Sequence, residues 1–167
     1  MLQHPIFQYI NLIEVLGKEP GTKLTFNTVR IFILDPSTIT RTFYVAIYKL
    51  DPTAILGDIS TYGSSKKIAS GQVTYTSDTI SRFRDITLDT TLTLENDSAE
   101  YFIGINDNAA GGMYGLKSSI IGESTPITFL TYAGANVEVG MPSTMASSAY
   151  TTANDFNSYF FLLYNYI

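Results

Sequence analysis

Apolar and polar positions alternate along most of this chain. In "TVRIFIL", residues 28–34, Val29, Ile31 and Ile33 take one face and Arg30 and Phe32 the other. In "TFYVAIYKLD", residues 42–51, Phe43, Val45 and Ile47 oppose Tyr44, Ala46 and Tyr48. In "EYFIGI", residues 100–105, Tyr101, Ile103 and Ile105 oppose Phe102 and Gly104. Ile6 to Ile13 is apolar and β-rich, interrupted by Gln8 and Asn11, and "KIASGQVTYT", "SRFRDITL", "TLTL", "PITFLTY" and "SYFFLLYNYI" extend the pattern. A period of two, β-branched and aromatic residues, and turn clusters between the runs predict strands. About eight to ten are expected. The one helix-compatible piece spans residues 8–17, and its Ile and Asn content disfavours a helix.

Turn chemistry is dense in "KEPGTK", "LDPST", "LDPTAILGD", "LENDS", "NDNAAGGMYG" and "YAGAN". Glycine supplies positive φ there, and proline pre-sets the first turn position. No repeat of fixed period and no shift of composition divides the chain. The reading is one all-β domain over 1–167, an antiparallel jelly-roll-type β-sandwich, with 1–20 as an N-terminal arm or attachment segment. Its core is assigned to Val29, Ile31, Phe43, Val45, Ile47, Ile86, Leu92, Tyr101, Ile103, Ile105, Phe161 and Leu163.

Composition sharpens this. The 167 residues are 45% hydrophobic and 13% aromatic, which excludes a disordered chain. Only 15% are charged, so Ser, Thr, Asn and Gly must supply surface polarity. Few charges and 12 tyrosines suit a surface partly covered by a neighbour. The net charge of −5 opposes nucleic-acid binding, which needs a basic stripe to displace phosphate counterions. Residues 1–84 carry +3 and residues 85–167 carry −8, an asymmetry that interleaved strands need not convert into two poles. With no cysteine, disulfides, thiolate zinc and a cysteine nucleophile are excluded. No stretch reaches the ~18 apolar residues of a membrane helix, so no membrane insertion is expected. The start, "MLQHPIFQYINLIEVLG", lacks a basic n-region and carries Glu14, unlike a signal peptide.

Candidate chemistry is sparse. His4 is the single histidine and lies beside Pro5 near a terminus, where no triad would be oriented. Asp85 with Asp89, or Glu95 with Asp97, would have to be held about 5–10 Å apart across a cleft to act as a glycosidase pair; they read instead as solvated acids. Oxygen ligands for calcium are offered by Asp51 and Asp58 in "KLDPTAILGD", and by Asn106, Asp107 and Asn108 in "INDNAAGG". Neither has the EF-hand spacing, and Asp and Asn also build turns through their own backbone, the preferred reading here. No phosphate-binding glycine loop is present. Tyr62, Tyr114, Tyr132 and Tyr150 lie in or near loops, where exposed rings would stack on sugars, although plain packing is their more ordinary use. Tyr44, Tyr48 and Tyr101 alternate on strands and are assigned to core or half-buried positions.

In order, "TVRIFIL", "FYVAIYKLD", "ISTYGSSKKIASGQV" and "SRFRDITLDTTLTLENDSAEYFIGIND" resemble a jelly-roll module of tailed-bacteriophage virion proteins. The module occurs in tail-fibre, baseplate and head-fibre components and is similar to non-catalytic carbohydrate-binding sandwiches. The resemblance covers residues 28–107, about half of the chain. Departures are Phe83 where Trp is common, "LENDS" for a glycine-bearing turn, and Phe102 as the ring before the strand glycine. The resemblance implies a non-enzymatic adhesion or scaffold protein of the virion. Its expected partners are other virion proteins, a homo-oligomer such as a trimer, and a host surface glycan. It brings no catalytic residue; no cofactor is expected, calcium being the metal that the loop oxygens of this chain would suit. The alternative is a carbohydrate-binding module of a secreted or cell-surface protein.

Overall fold

The computed structural model describes residues 6–10, 23–33, 40–55, 58–75, 82–95, 99–107, 129–132, 140–141, 143–144, 150–152 and 160–166. Within them the protein is all-β. The strands are β1 (Ile6–Ile10), β2 (Lys23–Ile33), β3 (Arg41–Lys49), β4 (Lys66–Tyr75), β5 (Arg82–Glu95), β6 (Tyr101–Asp107), β7 (Phe129–Tyr132), β8 (Tyr150–Thr152) and β9 (Phe160–Tyr166). A 3-10 helix, Ile59–Ser64, lies between β3 and β4. Residues 8–10 of the helix-compatible piece are strand, as their Ile and Tyr content favours; the rest lies outside the described residues.

All strand pairs are antiparallel, in a six-stranded sheet ordered β4-β3-β6-β1-β7-β8 and a three-stranded sheet ordered β5-β2-β9. One apolar cluster lies between them. From the larger sheet it takes Phe43, Val45, Ile47, Ala69, Tyr101, Ile103 and Ile105, and from the smaller Leu24, Phe26, Val29, Ile31, Ile86, Leu88, Leu92 and Leu94. Ten of the twelve residues assigned to the core from the sequence are in it; of Phe161 and Leu163 only the backbone positions in β9 are described.

The two sheets treat their outer faces differently. The smaller sheet turns a polar face outward, built from cross-strand pairs: Lys23 with Glu95, Thr25 with Thr93, and Arg30 with Asp85. Such pairs stabilise a register while remaining in water. The larger sheet is dry on both faces at β3 and β6. Its outer positions Ala46, Tyr48 and Phe102 join Leu50, Tyr62 and Met141 in a second buried cluster.

The loop after β3 supplies that cover. Asp51 accepts from the backbone N–H of Thr53 at 2.9 Å, and its carbonyl accepts from Ala54 N–H, also at 2.9 Å. Pro52 thus occupies the first corner of a tight turn, where its fixed φ is suited. The hydroxyl of buried Ser65 accepts from Asp51 N–H at 3.0 Å, closing the loop on itself. The 3-10 helix is thereby laid over the sheet, and Tyr62 packs against Phe102 with ring centroids 5.3 Å apart.

Two irregularities bring the sheets together along β4. In the β2–β5 ladder Phe26 faces Leu92 but Thr28 faces Thr87, so Leu88 to Thr91 leave the pairing while β2 spends only Asn27. The excursion carries Asp89 to β4, an edge strand. At the same place Gly71 meets the β5 backbone so closely that a Cβ there would stand 2.3 Å from the carbonyl oxygen of Thr87. Only glycine permits that approach.

Candidate functional site

Beside this junction the described residues form an open groove of about 350 Å³ lined by Tyr44, Val45, Lys67, Ser70, Gly71, Gln72, Asp89, Gly140 and Met141. Three parts of the chain build it. In the β3–β4 ladder Tyr44 stands opposite Gln72 and Val45 opposite Gly71, which places the ring and the amide side by side. The β5 excursion supplies Asp89. Gly140 and Met141 form a further wall.

That wall is held by polar contacts. Asn106 is fully buried, and its side-chain amide donates to Gly140 O at 2.9 Å. Lys67 contributes twice: its ammonium donates to Met141 O at 3.0 Å and its backbone N–H to Ser143 O at 2.9 Å. Lys66 and Thr144 form a β-bridge. Gly140 has φ near 105°, a conformation side chains resist, and it sits against the Tyr44 ring.

Asp89 gives the groove its anionic end. Oδ1 accepts the backbone N–H of Ser70 at 2.9 Å, and Oδ2 accepts the Ser70 hydroxyl at 3.0 Å. The Ser70 N–H is the largest cause of a carboxyl held below its ordinary range, and the nearby Lys67 charge acts in the same direction. Asp89 therefore stays ionised at neutral pH. Lys67 and Asp89 sense each other electrostatically but form no ion pair; the described pairs are Lys23–Glu95 and Arg30–Asp85. The Thr90 side chain also bonds the Asp89 carboxylate, so of about four lone-pair sites three are engaged, while the Lys67 ammonium, with three donors, has one given to Met141 O.

The residues proposed from the sequence are distributed elsewhere. Tyr62 is a correction: it is fully buried over β3 and β6, because the turn at Asp51 folds its segment inward, and it presents no ring to a sugar. Tyr132 and Tyr150 are brought directly opposite each other in the β7–β8 ladder, and Tyr114 lies outside the described residues. Tyr44 and not a loop tyrosine lines the groove.

The calcium candidates do not converge. Lys49 faces Tyr101 and Phe43 faces Asp107, so Asp51 and the Asn106–Asp107 pair sit at opposite ends of β3 and β6. Eight residues of strand separate them, on the order of 25 Å. Asp51 is a turn former whose carboxyl is held low chiefly by the Thr53 hydroxyl and backbone. Asp58 is exposed, and its carbonyl starts the 3-10 helix by accepting from Thr61. Asn106 clamps the wall of the groove. Asn108 lies outside the described residues. Among the described residues no three His, Cys, Asp or Glu side chains cluster as a metal set.

Of the acid pairs, Asp85 is engaged by Arg30 through two bonds of 2.6 and 2.9 Å, and Asp89 by Ser70. Glu95 pairs with Lys23, and Asp97 lies outside the described residues.

No protein-family model matches the chain, and no curated protein matches it at a significant level of similarity.

Proposed function

We propose that the protein is a jelly-roll-type β-sandwich serving as a non-enzymatic structural module of a tailed-phage particle, an adhesion or scaffold unit of tail fibre, baseplate or capsid. One observation supports this most. The four segments that carry the resemblance are β2, β3, the 3-10 helix with β4, and β5 with β6, consecutive elements around two apolar clusters on either face of the larger sheet. A body dry on both faces of its central strands, with only 15% charged residues, suits a unit that packs beside copies of itself and other virion proteins in an extracellular particle. Peptide mass spectrometry on density-purified particles from the source lysate tests it. The protein should sediment with the particles at a constant ratio to the major capsid protein. Recovery only from the soluble fraction would remove the assignment.

A second reading, a carbohydrate-binding module of a secreted or surface protein, is favoured by the groove beside Tyr44. Loops and edges at the rim of a sandwich are common places for ligands.

A further inference from the structure

The groove carries one cationic and one anionic side chain, both within reach of solvent. Lys67 and Asp89 line one recess without forming an ion pair, each with hydrogen-bonding capacity left. Gln72 is exposed at the rim, opposite Tyr44, whose ring is half-buried against Gly140. One positive and one negative group leave the recess without net charge, so it does not select an anion or a cation. A divalent ion would find one carboxylate, and a phosphate would meet Asp89. A neutral molecule bearing adjacent hydroxyls satisfies both ends at once, because one hydroxyl donates to the carboxylate while its neighbour accepts from the ammonium.

We infer that this groove binds a neutral pyranose through a vicinal diol bridging Lys67 and Asp89, with Gln72 on a further hydroxyl and the C–H face of the sugar against Tyr44. The inference rests on the binding reading of the groove and is independent of the virion assignment. A space of about 350 Å³ suits one or two sugar rings. Because Asp89, Ser70 and Gly71 also join the two sheets, the site stands on strands and not on a free loop.

The test is a backbone-amide NMR titration of the full chain with neutral monosaccharides and their methyl glycosides, accompanied by a glycan array. Saturable shifts should centre on 44–45, 67, 70–72, 89 and 140–141, with an affinity that changes little between low salt and about 0.5 M salt, where interactions between exposed charges are largely screened. Gln72→Ala and Lys67→Met should each weaken binding about tenfold, the usual effect of losing one charge-assisted or well-placed hydrogen bond. Gln72 is exposed, so its variant should fold normally; Thr25→Ala, on the far face, should bind like the parent. Shifts at the groove with a zwitterionic amino acid or inorganic phosphate but with no sugar would overturn the pyranose and keep a binding groove. No groove shift with any ligand, and no array signal, would overturn both the inference and the binding reading.

Discussion

Asp89 on β5 accepts hydrogen bonds from both the backbone N–H and the hydroxyl of Ser70 on β4, at 2.9 and 3.0 Å. The contact joins the two sheets and occupies an amide on an edge strand that would otherwise offer itself to another chain. It also makes one carboxylate both a structural tie and the anionic end of the groove.

The neighbouring glycine sets how closely the sheets approach. Gly71→Ala places a methyl group 2.3 Å from Thr87 O, a backbone atom that cannot move aside cheaply. We predict a loss of about 1–3 kcal/mol in urea unfolding, the scale of overpacking. An unchanged midpoint would mean that β4 and β5 are farther apart than described.

The second buried cluster should matter as much as the first. Tyr62 and Ile47 are both fully buried, on opposite faces of the larger sheet. Tyr62→Ala should cost about 3–5 kcal/mol and Ile47→Ala about 2–5 kcal/mol. The exposed control Lys66→Ala should stay within about 0.5 kcal/mol. A Tyr62 variant melting with that control would place Tyr62 at the surface.

Asn106 donates from a fully buried side chain to Gly140. Asn106→Leu removes the donor and leaves a carbonyl to be resatisfied, which costs about 1–3 kcal/mol. The loss should be local: protease cleavage near 140–144 should accelerate while the β3 and β6 amides keep their exchange protection. Equal loosening of both would contradict the clamp.

Acid should weaken the fold in a defined direction. The carboxyls of Asp89, Asp85 and Asp51 are all held below their ordinary value by hydrogen bonds, from Ser70, Arg30 and Thr53 respectively. A carboxyl with a depressed folded value favours the native state above its unfolded value, about 3.9, and loses that contribution as pH falls through the folded value. The urea midpoint should hold from neutral pH to about pH 5 and then drop. Asp89→Asn should lower the neutral midpoint and flatten the acid drop; two curves of identical shape would deny Asp89 this role. All three groups are largely solvated, so each individual contribution is small.

Much of the inner core was legible because alternation in "TFYVAIYK" and "EYFIGI" survives intact in β3 and β6. Leu24 and Phe26 escaped notice because the irregularity at Asn27 shifts the buried positions from even to odd numbers, so "KLTFNTVRIFI" shows no single alternation. The burial of Tyr62 was left open between packing and sugar stacking for another reason. Turn chemistry at "DPT" is local and readable, whereas the direction in which the loop then folds depends on Phe102 and Ser65, far along the chain or later in the loop. The groove was hidden for the same reason, since Asp89 reaches Ser70 only through tertiary packing. One signal did exist: an isolated glycine inside the strand pattern "IASGQV" marks a close backbone approach, and Gly71 is that contact.

The claim on which the rest depends is that β3 and β6 are covered on both faces, by the smaller sheet on one side and by Tyr62 and Met141 on the other. Residue-resolved native-state hydrogen exchange measures this directly. Hydrogen-bonded amides of Phe43–Ile47 and Phe102–Ile105 should exchange only through global unfolding, with the same dependence on denaturant as the whole chain. Exchange of these amides through local opening, as fast as at the exposed turn residue Thr53, would contradict the account.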